Sequence, residues 1–153
     1  MIRRGTLLAL FGALLACRPE AAAPETSPAG LKEVPLTIRS GDRVHRFTVE
    51  LARTPEEQAR GLMHRQSLAP DRGMIFPYAP PQPVSFWMKN TLIPLDIIFI
   101  KEDRTIANIA ENTVPLSLDP LPSLEPVVLV LEIAGGRSAE LGIKAGDTVE
   151  WAP

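Results

Sequence analysis

Prolines and turn residues cut the stretch from Glu33 to Pro153 into short apolar runs, and this constrains the fold more than any other feature. Short runs bounded by turn signals are strand-length, whereas a core helix needs about ten or more periodic residues. Val34-Pro35-Leu36-Thr37-Ile38-Arg39 alternates apolar and polar after its first step. Ser40-Gly41-Asp42 supplies turn chemistry, and Val44 to Leu51 alternates again, which predicts a β-hairpin. His45 falls on the polar phase of the second run. Gly73 to Phe76 predicts a short strand ended by Pro77. Ala79 to Pro83 holds three prolines and reads as a stiff connection. Val84–Met88, Asp96–Ile100, Thr105–Ala110, Val127–Ile133 and Thr148–Trp151 read as further strands, with Lys101 to Arg104 a polar turn. Asn112 to Pro126 carries four prolines and reads as a long irregular loop.

Helix chemistry is strong in one place. Thr54 suits an N-cap, Pro55 the first helical position, and Glu57 completes a capping box. The helix is predicted from Pro55 to about Met63, with Ala59, Leu62 and Met63 on its apolar face. Arg60, His64 and Arg65 gather near its C-terminus, where cations meet the negative end of the dipole. Arg137 to Leu141 allows one helical turn, stopped by Gly142. No repeat is visible. Seven or eight short strands and one real helix predict a mainly β fold: a compact antiparallel sandwich or barrel with one short helix inserted.

The N-terminal part reads differently. The chain opens MIRRGTLLALFGALLAC. Arg3 and Arg4 form a positive start, and Thr6 to Ala16 is apolar but too short for a permanent bilayer span. Leu14-Leu15-Ala16-Cys17 resembles a bacterial lipobox. By that resemblance, residues 1–16 are a lipoprotein signal peptide and Cys17 becomes the lipidated first residue, the alternative being an ordinary signal peptide. The chain has one Cys, so the mature domain is expected without an internal disulfide. Residues 17–32 read as the lipidated Cys and a disordered tether rich in Pro, Ala, Glu and Ser. Residues 33–153 form a single mainly β domain. The expected location is the cell envelope, anchored by lipid and facing the periplasm. Arg18, where an Asp would favour inner-membrane retention, tilts this slightly towards the outer membrane.

Charge excludes one class of partner. The net charge is −2, and loss of Arg3 and Arg4 leaves 14 basic against 18 acidic side chains. There is no basic block, so nucleic acid is not an expected partner.

Several motifs occur together in order. They are Gly61-Leu62-Met63-His64-Arg65, Gly73-Met74-Ile75-Phe76, Phe86-Trp87-Met88-Lys89-Asn90-Thr91 with Pro94-Leu95-Asp96-Ile97, Val130-Leu131-Glu132-Ile133 with Ala134-Gly135, and Gly146-Asp147. As a set they resemble the family catalogued as domain of unknown function 192, over most of Phe47 to Val149. The resemblance implies a compact, mainly β single domain and names no activity. Family members often carry a Tyr just before the Val-Leu-Glu strand; here Val127 to Val130 offers only Val and Leu.

The polar residues inside apolar segments are the candidate site. Trp87, Lys89, Asn90 and Asp96 combine a flat apolar face, a charged donor, an amide and a carboxylate, which is the chemistry of a sugar or polyol site. Arg65 joins them because its fork suits a buried carboxylate. Each also has a structural reading. Asp96 could brace the Lys89–Pro94 crossing through backbone N–H bonds, and Asn90 could serve a turn. Met63, Met74 and Met88 read as core filler before a soft-metal site. His45 and His64 lack metal-ligand spacing, and no metal or cofactor is expected. Three functional readings follow. The first is a lipid-anchored module binding a small polar ligand. The second is an envelope assembly or scaffold protein acting by protein contacts, in which the Asn112–Pro126 loop takes part. The third is a hydrolase using Asp96 or Glu132.

Overall fold

The computed structural model describes residues 27–152. The predicted signal segment, Cys17 and the tether up to residue 26 lie outside the described residues. Nine strands and two short helices follow in the order β1 (Glu33–Ser40), β2 (Arg43–Leu51), α1 (Pro55–Arg60), β3 (Arg72–Gln82), β4 (Ser85–Phe86), β5 (Leu95–Ile100), β6 (Ile106–Ala110), β7 (Leu121–Pro122), β8 (Val127–Ala134), α2 (Arg137–Leu141) and β9 (Thr148–Trp151). Seven strands make one sheet in the order β6-β5-β8-β3-β2-β1-β9, and β4 pairs with β7. The sheet curls into a half-barrel. Its two edges meet at one end, where Thr105 bridges Thr148. There Val149 N–H donates to the Arg104 carbonyl (2.8 Å) and Ile106 N–H to that of Asp147 (2.9 Å).

The fold is mainly β, as the short apolar runs require. All pairings in the large sheet are antiparallel except β2–β3, which is parallel because α1 carries the chain back between them. The predicted hairpin forms with Glu33 opposite Glu50 and Ser40 opposite Arg43.

Three local expectations change. The first helix ends at Arg60, because Gly61 turns out of helical geometry at φ 47°, ψ −135°. Its six residues bury nothing and Ala59 is exposed; Leu62 reaches the core only after the helix has stopped. β3 continues through Pro77 and Pro80 to Gln82, where a connection was predicted. Its pairing with β2 ends at Ile75, so on that side no strand needs the N–H groups that proline lacks. Ser27 to Lys32, read from sequence as tether, packs on the domain. The Ser27 hydroxyl donates to Glu50 Oε2 (2.9 Å), and the Leu51 N–H donates to the Lys32 carbonyl.

Strand alternation sorts the core into two layers. Inside the curl lie Leu36, Ile38, Val49, Ile75, Ile98, Leu131, Ile133 and Val149. On the outer face Met74, Phe76, Ile97, Phe99 and Val130 meet Leu62 and Met88 from the covering loops. β5 is buried on both faces at every position, which explains why every residue in it except Asp96 is apolar. No helix among the described residues is long and apolar enough to cross a membrane.

Candidate functional site

Across the outer face runs one registered row. Glu50 pairs with Met74, Met74 with Glu132, and Glu132 with Ile97. Registered neighbours share a face, so two carboxyls stand on this side with Met74 between them. Strand spacing places Glu50 and Glu132 about 10 Å apart, two steps across the sheet.

Their environments differ. Glu50 has a full complement of partners. The Arg65 guanidinium grips it in bidentate fashion, Nη1 to Oε1 and Nη2 to Oε2, both 2.7 Å. Donating these hydrogen bonds to Glu50 raises the Arg65 pKa above its ordinary value, against the opposing effect of burial. A cleft of about 550 Å³ opens beside this pair, but its other charges, Arg72 and Glu33, are also paired (3.0 Å). Removing Arg65 would leave a nearly buried carboxylate with the Ser27 hydroxyl as its remaining hydrogen-bond donor among the described residues. Arg65→Ala is expected to cost about 2–3 kcal/mol, less than a fully buried pair because Arg65 is partly solvated. Arg65→Lys should recover little of that, since an ammonium cannot satisfy both oxygens. Urea unfolding of the two variants checks this.

Glu132 has no hydrogen bond or ion pair among the described residues, and it is buried between Met74 and Ile97. Burial pushes its carboxyl up to about 8. At neutral pH it is therefore mostly a neutral acid, able to donate as well as accept a hydrogen bond. It opens onto a cleft of about 220 Å³ lined by Tyr78, Ser85, Phe86, Trp87 and Thr91, with Gln58 to Met63 forming the opposite wall. Burial, with the nearby Glu132 charge, raises the Tyr78 hydroxyl to about 12, so it too stays a neutral donor. Phe86 is held by edge-on contacts with Phe76 (5.1 Å between centroids) and Phe99 (6.1 Å).

The five residues singled out in the sequence do not converge on one cleft. Trp87 and Lys89 come together, with Nζ 5.0 Å from the ring centroid. Trp87 alone of the five lines the Glu132 cleft. Asn90 takes a left-handed φ of 55°, and its carbonyl accepts the His64 N–H (2.8 Å), so it makes the turn that docks onto the 61–65 segment. Arg65 serves Glu50. Asp96 is fully buried, with three backbone N–H donors: Asn112 (2.7 Å) and Gly136 (2.8 Å) to Oδ1, and Ser138 (2.7 Å) to Oδ2. The cap residue of α2 is Gly136, which has no side chain to cap with, and Asp96 does it from β5. Asp96 pairs in register with Ile133 and Glu132 with Ile97, so Asp96 and Glu132 lie on opposite faces of the sheet and cannot act as a carboxylate pair.

Glu132 was visible in the sequence as the one charge in the run Val127–Ala134, and it entered the hydrolase reading alone. Tyr78 and Phe86 gave no comparable signal, because each meets Glu132 only through the outer layer. Tyr78, from β3, supplies the hydroxyl near Glu132 that the residues before the Val-Leu-Glu strand cannot. Among the described residues, no three His, Cys, Asp or Glu side chains gather as a metal site.

Comparison places the chain among proteins of unassigned activity. A family model, DUF192, described as "Uncharacterized ACR", matches residues 36–151. The solved structure of a protein of unknown function from Novosphingobium aromaticivorans is similar, with 54% identity, 86% of this chain and 95% of that one covered, and a TM-score of 0.82. A second, from Sinorhizobium meliloti and named as a candidate transcription regulator, shares 43% identity over 79% of this chain and 95% of its own, with a TM-score of 0.77. No curated protein matches.

Proposed function

The chain belongs to the DUF192 family, and for this member we propose a lipid-anchored cell-envelope module that binds a small, neutral polar ligand of the sugar or polyol class in the Glu132 cleft. The observation that carries this reading is the Glu132 carboxyl, which has no hydrogen-bond partner among the described residues and lines a cleft together with Tyr78, Phe86 and Trp87. A ligand hydroxyl in the cleft would supply the hydrogen bond that no described protein group gives this carboxyl. Glu132 and Tyr78 offer hydrogen bonds as neutral groups, and Trp87 and Phe86 offer flat apolar faces for a ring. The cleft volume of about 220 Å³ accommodates one small ring. Cys17 in its lipobox-like setting supports the anchor.

A protonated carboxyl near neutrality also suits a general acid. Glu132 would have to work without Asp96, so the hydrolase reading stands second. The regulator name carried by the Sinorhizobium relative finds no support in charge, because the chain carries 16 basic and 18 acidic side chains.

The test is a thermal-shift screen of the chain from Cys17 onward against sugars, polyols, amino acids and divalent metals. A ligand that binds only the folded state stabilises it by about 2.7 kcal/mol at a hundredfold excess over its dissociation constant. A shift confined to the sugars and polyols, lost in Trp87→Ala and weakened in Glu132→Gln, is the expected result. A flat response across those classes would overturn the proposal.

A further inference from the structure

Of the seven exposed large apolar side chains among the described residues, five lie in two adjoining segments; Val44 and Leu124 lie apart from them in the chain. Val114, Leu116 and Leu118 are 70%, 57% and 64% exposed, and Trp87 and Leu92 are 49% and 40% exposed. The segments are tied together: Met88 N–H donates to the Ser117 carbonyl (2.9 Å) and Leu116 N–H to that of Thr91 (3.1 Å). Thr113 fastens the loop base to β5, its N–H donating to the Leu95 carbonyl (2.8 Å). Leu116 stands at a φ of 65°, a left-handed conformation that a leucine keeps only where surrounding contacts hold it. The side chains are therefore held outward by an ordered loop. Between them Trp87 and Leu118 border a cleft of about 270 Å³ with Phe86 and Pro120. Trp87 with the Lys89 ammonium over its ring sits at the margin, a combination suited to a membrane–water interface.

We propose that this surface, Trp87, Leu92, Val114, Leu116 and Leu118, inserts shallowly into the headgroup region of the phospholipid leaflet that holds the chain's own anchor. The inference rests on the anchor reading for its geometry. Nine residues lie between Cys17 and Ser27, ten chain steps with a reach of at most about 35 Å, close to the width of a domain this size. A domain so tethered stays within its own width of the lipid, and the short tether makes even weak apolar contact an intramolecular event. Shallow insertion would leave the lipid to cover an apolar surface that nothing in the domain covers.

Trp87 is itself the probe. Trp151→Phe leaves it as the only tryptophan of the two. The acylated chain is placed on vesicles of phosphatidylethanolamine with a minority of phosphatidylglycerol, carrying brominated acyl chains. A parallel sample is the unacylated Cys17→Ser chain at high vesicle concentration. Trp87 emission should shift to the blue and lose most of its intensity to bromine on the acylated chain. Leu116→Ser with Leu118→Ser should abolish that loss without changing the melting temperature, since both side chains are exposed. If the acylated chain floats with the vesicles while Trp87 stays unquenched, the surface proposal is overturned and the anchor stands. If the chain proves not to be acylated but the Cys17→Ser form is still quenched, the anchor fails and the surface stands. A stable complex with an envelope protein through Leu116 and Leu118, with Trp87 unquenched, would overturn the lipid occupant in favour of the scaffold reading.

Discussion

Replacing Asp96 by alanine is expected to cost about 3–5 kcal/mol, the largest loss from any single polar side chain in the domain. One fully buried carboxylate satisfies three backbone N–H groups from two separate segments, the Ser138 bond buried and the other two partly so. Bonds to a charged acceptor are among the stronger ones, and all three donors would lose their partner. Proteins of this size are stable by only about 5–15 kcal/mol, so the variant should melt far below the wild type. Asp96→Asn should fall between them, because its amide keeps one acceptor oxygen but turns an NH2 towards donors that need an acceptor. Urea denaturation of the three proteins checks the order. A variant that lost ligand binding while keeping wild-type stability would return Asp96 to the binding site.

Glu132→Gln should change the pH dependence of stability. In the unfolded chain the carboxyl titrates at its ordinary value of 4.5, and in the folded protein at about 8. Below the lower value both states hold the proton and burial carries no ionic penalty. Between the two values the folded state still holds a proton that the unfolded state has released, so stability falls as pH rises. Above about 8 both states are ionised and the loss is complete, on the order of 5 kcal/mol for a shift of this size. The wild-type urea midpoint should therefore drop between about pH 5 and pH 8 and then level off. Glu132→Gln should lack this component and exceed the wild type in stability at alkaline pH. Superimposable pH profiles for the two proteins would remove Glu132 as the group responsible. The same ionisation predicts weaker binding of a neutral polyol above pH 8, because the carboxylate no longer donates.

These expectations depend on layers that are read with different ease. Strand alternation, the capping box at Thr54 and the turn residues at Ser40–Asp42 are local, and the β-rich class and the first hairpin follow from them. The charge inside Val127–Ala134 was equally plain. Partnership is not local. Asp96 and Glu132 look alike in sequence, one acid in each of two apolar strands. A one-residue difference in strand phase sends Asp96 to the face where Gly136 and Ser138 supply donors, and Glu132 to the face where Met74 and Ile97 supply none. Arg65 meets Glu50 only because the chain after Gly61 folds back over β2 and β3. Periodicity, capping and composition are written in adjacent residues, so the class of fold and the side chains of unusual chemistry were legible in the chain alone, and the ordered motifs carried the family resemblance. The tertiary structure alone decided which acid is braced and which stands free, because that depends on register across strands distant in the chain.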